Sequence, residues 1–136
     1  MKKKFALVLS LVLMIMMICQ IPILASNISL LNNNTSSTST SFSISSDGEA
    51  CVFIDYMGYK GVTTDATINI TIEKRNLLFF WNDVVTETIT CNNYHYSNEL
   101  YYQLEDSGTY RCTVEYVISG TGGADDVITF EDTASY

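Results

Sequence analysis

The sequence predicts an all-β protein, a single antiparallel β-sandwich of about seven short strands behind an N-terminal leader. Three observations predict it. From Phe42 onward apolar and polar residues alternate with a period of two, in segments dominated by β-branched and aromatic side chains, which is the pattern of half-buried strands. No segment repeats its apolar residues at helical spacing. Turn signals recur roughly every 8 to 15 residues across about 95 residues, room for one sandwich and no more.

The chain opens with Lys2, Lys3 and Lys4, an apolar run from Phe5 to Ile18, and a close at Ile23, Leu24 and Ala25. That order of basic, apolar and small residues reads as a secretory signal peptide over residues 1–25. Cys19 follows Met16, Met17 and Ile18 rather than the small residues of a lipoprotein processing site. Residues 26–41 are crowded with Ser, Thr and Asn and read as a flexible spacer. Asn27, Asn33, Asn34 and Asn69 begin Asn-x-Ser/Thr triplets, which chance explains in such text.

The domain is expected over residues 42–136. Phe42 and Ile44 lead through the Asp47-Gly48 turn signal into a strand from Glu49 to Tyr56. Ala66, Ile68, Ile70 and Ile72 form one face of the next strand, against Thr67, Asn69, Thr71 and Glu73 on the other. Leu77 to Val85 and about Glu99 to Leu104 supply two more. Tyr110, Cys112, Val114, Tyr116 and Ile118 alternate with Arg111, Thr113, Glu115 and Val117, and the turn Gly120 to Gly123 closes a hairpin with a last strand from about Asp126 to Glu131.

The stretch Leu104-Glu105-Asp106-Ser107-Gly108-Thr109-Tyr110-Arg111-Cys112 resembles the entry to strand F of the immunoglobulin-like fold. By that resemblance Tyr110 is the corner tyrosine, its hydroxyl tied back to the backbone, and Cys112 is a core thiol whose expected disulfide partner is Cys51. Two features depart from the pattern. Trp81 stands far downstream of Cys51, on what would be strand C′, and Asp55 shares a face with Cys51. Cys91 makes three cysteines after the leader, so other pairings and free thiols stay open. Along its length the chain also resembles small secreted immunoglobulin-like β-sandwich proteins of low-GC Gram-positive bacteria. The shared order is a basic leader, a Ser/Thr spacer, Gly48-Glu49-Ala50, Met57-Gly58-Tyr59, Glu73-Lys74-Arg75, one Trp and Gly108-Thr109-Tyr110-Arg111. This resemblance implies a fold and a secreted, extracellular location, with no activity attached.

Seven Lys and Arg stand against 15 Asp and Glu, a net charge of −8. Loss of the three leader lysines would leave 4 basic residues and a net charge of −11. A surface that acidic argues against nucleic acid and anionic membranes as partners. Catalytic, metal and cofactor sites are not expected, and the chain reads as a non-enzyme. His95 is the single histidine, too few for a transition-metal site even beside Cys91. No serine sits in a Gly-x-Ser-x-Gly setting. Glu105 with Asp106 and Asp125 with Asp126 fall in expected turns, where carboxylates stay solvated, with calcium at Asp125 and Asp126 as the sharper alternative.

Aromatic residues carry the remaining functional signal. Tyr94, Tyr96, Tyr101 and Tyr102 crowd one segment. Alternation puts Leu100, Tyr102 and Leu104 inward and leaves Tyr101 outward, and Trp81 is the second candidate for a binding surface. Glu73, Glu87, Glu115 and Glu131 are expected on outward positions, blunting strands that carry no proline. The expected function is a secreted binding or assembly module for an unknown protein. The alternatives are a glycan-binding module using exposed Tyr or Trp, and a bacteriocin-like factor.

Overall fold

The computed structural model describes residues 32–76 and 80–136. The expected leader, Cys19 and most of the first half of the expected spacer lie outside the described residues. Seven strands follow one another: β1 Thr35–Ile44, β2 Glu49–Gly58, β3 Thr63–Arg75, β4 Trp81–Cys91, β5 His95–Gln103, β6 Thr109–Gly120 and β7 Asp126–Ser135. They form two antiparallel sheets, ordered β1-β2-β5 and β4-β3-β6-β7. With β1, β2 and β5 as A, B and E, and β3, β6 and β7 as C, F and G, this is an immunoglobulin-like Greek key. The fourth strand, β4, joins the C-F-G sheet as C′.

The core lies between the inner rows of the three central strands. Ala50, Val52, Ile54 and Tyr56 of β2 face Ala66, Ile68, Ile70 and Ile72 of β3 and Tyr110, Cys112, Val114, Tyr116 and Ile118 of β6, all at most 2% exposed. Each large apolar side chain in that row contributes about 1.5–3 kcal/mol by leaving water. At the edges the rows are only half-buried, at Val85 and Ile89 on β4 and Ile128 and Phe130 on β7.

The two ends are closed differently. At the lower end Tyr110, 2% exposed, donates its hydroxyl to the Asp106 carbonyl, the backward tie of a tyrosine corner. Its ring stacks on that of Tyr136 at 6.1 Å. The Tyr136 ring also covers Gly48, where φ is +85° and a Cβ would stand 2.8 Å from the ring, so only glycine fits this turn. At the upper end Asn34 is fully buried. Its amide nitrogen donates to the Ala124 carbonyl at 3.0 Å, and its side-chain oxygen accepts the Gly122 N–H at 3.1 Å. Asp126, 6% exposed, accepts the Asn33 and Asn34 N–H groups at 2.8 Å each, one on either carboxylate oxygen.

Thr35 to Ser41 are strand and not spacer, because β1 pairs along its length with β2 and is pinned at its start by Asp126. The expected Cys51–Cys112 disulfide is not formed, and Cys51, Cys91 and Cys112 are free thiols. Cys51 stands on the outer row of β2 with Phe53, Asp55 and Met57, since Val52, Ile54 and Tyr56 take the inner row. Cys112 lies on the inner row of β6 in the other sheet. Their side chains sit on different faces and cannot meet. The fourth strand runs on past Val85 to Cys91, and the fifth begins at His95. Glu87 is on the inward row of β4, where its carboxylate accepts the Tyr102 hydroxyl at 2.5 Å. Asp126 is buried structure and not a solvated turn residue.

Candidate functional site

The outer faces were the expected place for a binding surface, and the two named candidates stand apart on them. Tyr101 points outward from β5 and is 56% exposed, beside its cross-strand neighbour Cys51. Its hydroxyl donates to Glu99 at 2.6 Å, and that bond to a carboxylate pushes its pKa up to about 12. Trp81 opens β4 on the other sheet. The Arg111 guanidinium lies 4.6 Å from its ring centroid, a cation–π contact that occupies one ring face. Glu73 holds that guanidinium at 2.7 Å, with Glu131 at 3.9 Å. Tyr101 offers an open ring, whereas Trp81 is already engaged within its own sheet.

A third group of side chains gathers at the upper end of the β1-β2-β5 sheet. Met57 lies opposite His95 in the β2–β5 register, and the Gly58 N–H donates to the Tyr94 carbonyl at 2.6 Å. These contacts bring the β2–β3 and β4–β5 connections together. The first is a tight turn in which the Val62 and Thr63 N–H groups both donate to the Tyr59 carbonyl, at 3.0 and 2.9 Å. Gly61 supplies the positive φ of 83°. Met57 and Tyr59 are each 44% exposed and Tyr94 is 36% exposed. Lys60 is exposed in the same turn and has no ion-pair partner among the described residues, while Lys74 and Arg111 are tied to acids. This end therefore presents a sulfur, two phenol rings and a cation on two connections that a backbone hydrogen bond joins. The turn is held from below, where Asn34 accepts the Tyr59 N–H at 3.3 Å and the Thr63 hydroxyl.

The titratable groups show how the rest is disposed. His95 Nε2 lies 3.4 Å from Asp55 Oδ1 on the open outer face, and among the described residues no serine or cysteine bonds its ring. Burial pushes the Cys112 thiol up to about 12 and the Cys91 thiol upward as well, away from the thiolate that nucleophilic chemistry needs. No three His, Cys, Asp or Glu side chains among the described residues are grouped to hold a metal ion. At Asp126 both oxygens accept backbone N–H groups, which turns the site's acceptors away from a cation. A cavity of about 290 Å³ opens at the lower end, lined by Val84, Val85, Leu104 and Tyr110 and by Lys74 and Asp106, which form an ion pair at 3.0 Å.

No protein-family model matches the chain, and no curated protein is significantly similar to it.

Proposed function

We propose that this protein is an exported, non-enzymatic module that binds a protein partner through the upper end of its sandwich. The observation that carries the reading is the exposure of Met57, Tyr59 and Tyr94 on two connections that the Gly58–Tyr94 bond holds together, with Lys60 exposed in the same turn. Tyrosine rings are what binding surfaces concentrate, because they offer large apolar area on two rotatable bonds, and a methionine beside them adds a polarizable side chain that adapts to its partner. Here Met57 lies near the end of β2, Tyr59 and Lys60 lie in the hydrogen-bonded turn that follows, and Tyr94 lies in the β4–β5 connection, so the group offers a cation within a strongly acidic chain. The leader reading and the resemblance to small secreted sandwich proteins of Gram-positive bacteria support the exported location. The burial of Cys91 and Cys112, and a His95 ring that faces Asp55 with no serine or cysteine bonded to it among the described residues, support a binding role over a catalytic one.

The experiment is capture of partners from culture supernatant by the purified protein, compared with a Met57→Ser, Tyr59→Ser, Tyr94→Ser variant. Each substitution is at an exposed position, so the variant should keep its β-sheet circular dichroism. Captured protein that disappears with the variant supports the reading; capture unchanged by it overturns the assigned end. Retention on polysaccharide that is lost on Tyr101→Ala, with no protein captured, replaces the reading with a glycan-binding one.

A further inference from the structure

We propose that two copies of this chain associate edge to edge through β1, joining their β1-β2-β5 sheets about a twofold axis. The inference uses a different surface from the upper-end cluster and does not depend on it.

The molecule has four sheet edges, β1 and β5 on one sheet and β4 and β7 on the other. Edge strands present unpaired N–H and C=O groups, and proteins protect them with charge, proline or irregularity. Proline is absent from all four. Three carry exposed acid: Asp83 on β4, Glu99 on β5, Glu131 and Asp132 on β7. Strand β1 carries no charged residue over its ten positions, Thr-Ser-Ser-Thr-Ser-Thr-Ser-Phe-Ser-Ile. Its one irregularity falls between Thr35 and Ser37, and from there to Ile44 it pairs regularly with β2. On its other side, no backbone hydrogen bond is made from Ser37 to Ile44 among the described residues.

Charge chooses the occupant. Any copy of this chain brings a net charge of −8, so self-association at β4, β5 or β7 sets acid against acid. At β1 it does not. The outward row there is Ser39, Ser41 and Ser43, all exposed, and hydroxyls both donate and accept, so two such rows are complementary to one another. Antiparallel pairing about a twofold axis sets each row against its own copy, the geometry of an isologous dimer. The product is a continuous six-stranded sheet, β5-β2-β1 joined to its copy, in which neither β1 edge remains open.

Sedimentation velocity on the purified protein from about 1 μM to about 1 mM tests this. A monomer–dimer equilibrium is expected. Ser39→Lys with Ser41→Lys should weaken it at least about tenfold, since like charges would then face each other across the axis. Ser39→Glu with Ser41→Glu should do the same, and mixing the two variants should restore a dimer. Hydrogen exchange of the unmodified protein gives a second reading that needs no variant, with β1 amides gaining protection as concentration rises. A monomer throughout the range overturns the proposal. So does a dimer indifferent to both charge variants, or one whose β1 amides exchange equally fast at all concentrations.

Discussion

Replacing Asp126 with alanine should destabilise the whole domain by about 3 kcal/mol, chiefly through the hydrogen bonds its carboxylate accepts. Its two carboxylate oxygens accept the Asn33 and Asn34 N–H groups at 2.8 Å each. Hydrogen bonds to a charged group contribute about 1.5–3 kcal/mol, and a buried donor left without a partner costs about 1–3 kcal/mol. The Asn33 N–H is only partly buried and can return to water, so its share falls at the low end. The Asn34 N–H is buried and cannot. About 3 kcal/mol corresponds to a fall in Tm of roughly 12–24 °C for a domain of this size. Asp126→Asn keeps an acceptor but loses the charge, and should fall between alanine and the unmodified protein. The carboxylate also predicts a pH dependence. Burial opposes its charge, but the backbone donors outweigh burial and hold its pKa below the usual value. A depressed folded-state pKa gives stability that is present above the unfolded value near 3.9 and is lost as pH falls through the folded one. That acid-sensitive increment should vanish in Asp126→Asn. Thermal unfolding by circular dichroism between pH 7 and pH 2 measures both effects. A Tm within about 4 °C of the unmodified protein for Asp126→Ala would refute the reasoning, because it would mean a loss below about 1 kcal/mol.

Three further outcomes are expected. Tyr110→Phe removes the hydroxyl that bonds the Asp106 carbonyl and should cost about 1 kcal/mol in urea unfolding with little change in m-value. Ile70→Ala, at a fully buried position in the centre of β3, should cost about 2–5 kcal/mol by the same measurement. Alkylation under native conditions should modify Cys51 before Cys91 and Cys112, which should react only once the domain is unfolded, and in denaturant without added reductant all three should prove to be free thiols by peptide mapping.

The parts of the fold that were legible in the sequence are those where one face is dry over a full strand. On β3 and β6 every second residue is buried, so alternation alone located them and assigned their faces. Strand β1 was illegible for a physical reason. Its first seven residues are serine and threonine, a composition shared with flexible spacers, and what orders them is pairing with β2 and a carboxylate 92 residues away from Asn34. The second half of β4 was hidden because Glu87 interrupts its inward row, a position tolerable only at an edge where Tyr102 can reach it. On β2 both rows contain apolar residues, so the facing of Cys51 was ambiguous. The usable signal was Asp55, two pairs along the same row, which favours the outward choice.

The site divides in the same way. The outward setting of Tyr101 follows from alternation on β5. The covering of Trp81 does not, because Arg111 reaches it across the intervening strand β3. Met57, Tyr59 and Tyr94 come together only through the register of β2 with β5 and the bond from Gly58 to Tyr94. No local pattern encodes that meeting, although Met57-Gly58-Tyr59 already stood out as a short motif.

The most direct test of the account is a footprint of the bound complex. Amide hydrogen exchange should be measured on the domain alone and with its captured protein partner. Slowed exchange concentrated at residues 57–63 and 92–95 is the predicted result. Slowed exchange confined to the Trp81 and Arg111 face, with the upper end unchanged, would contradict it.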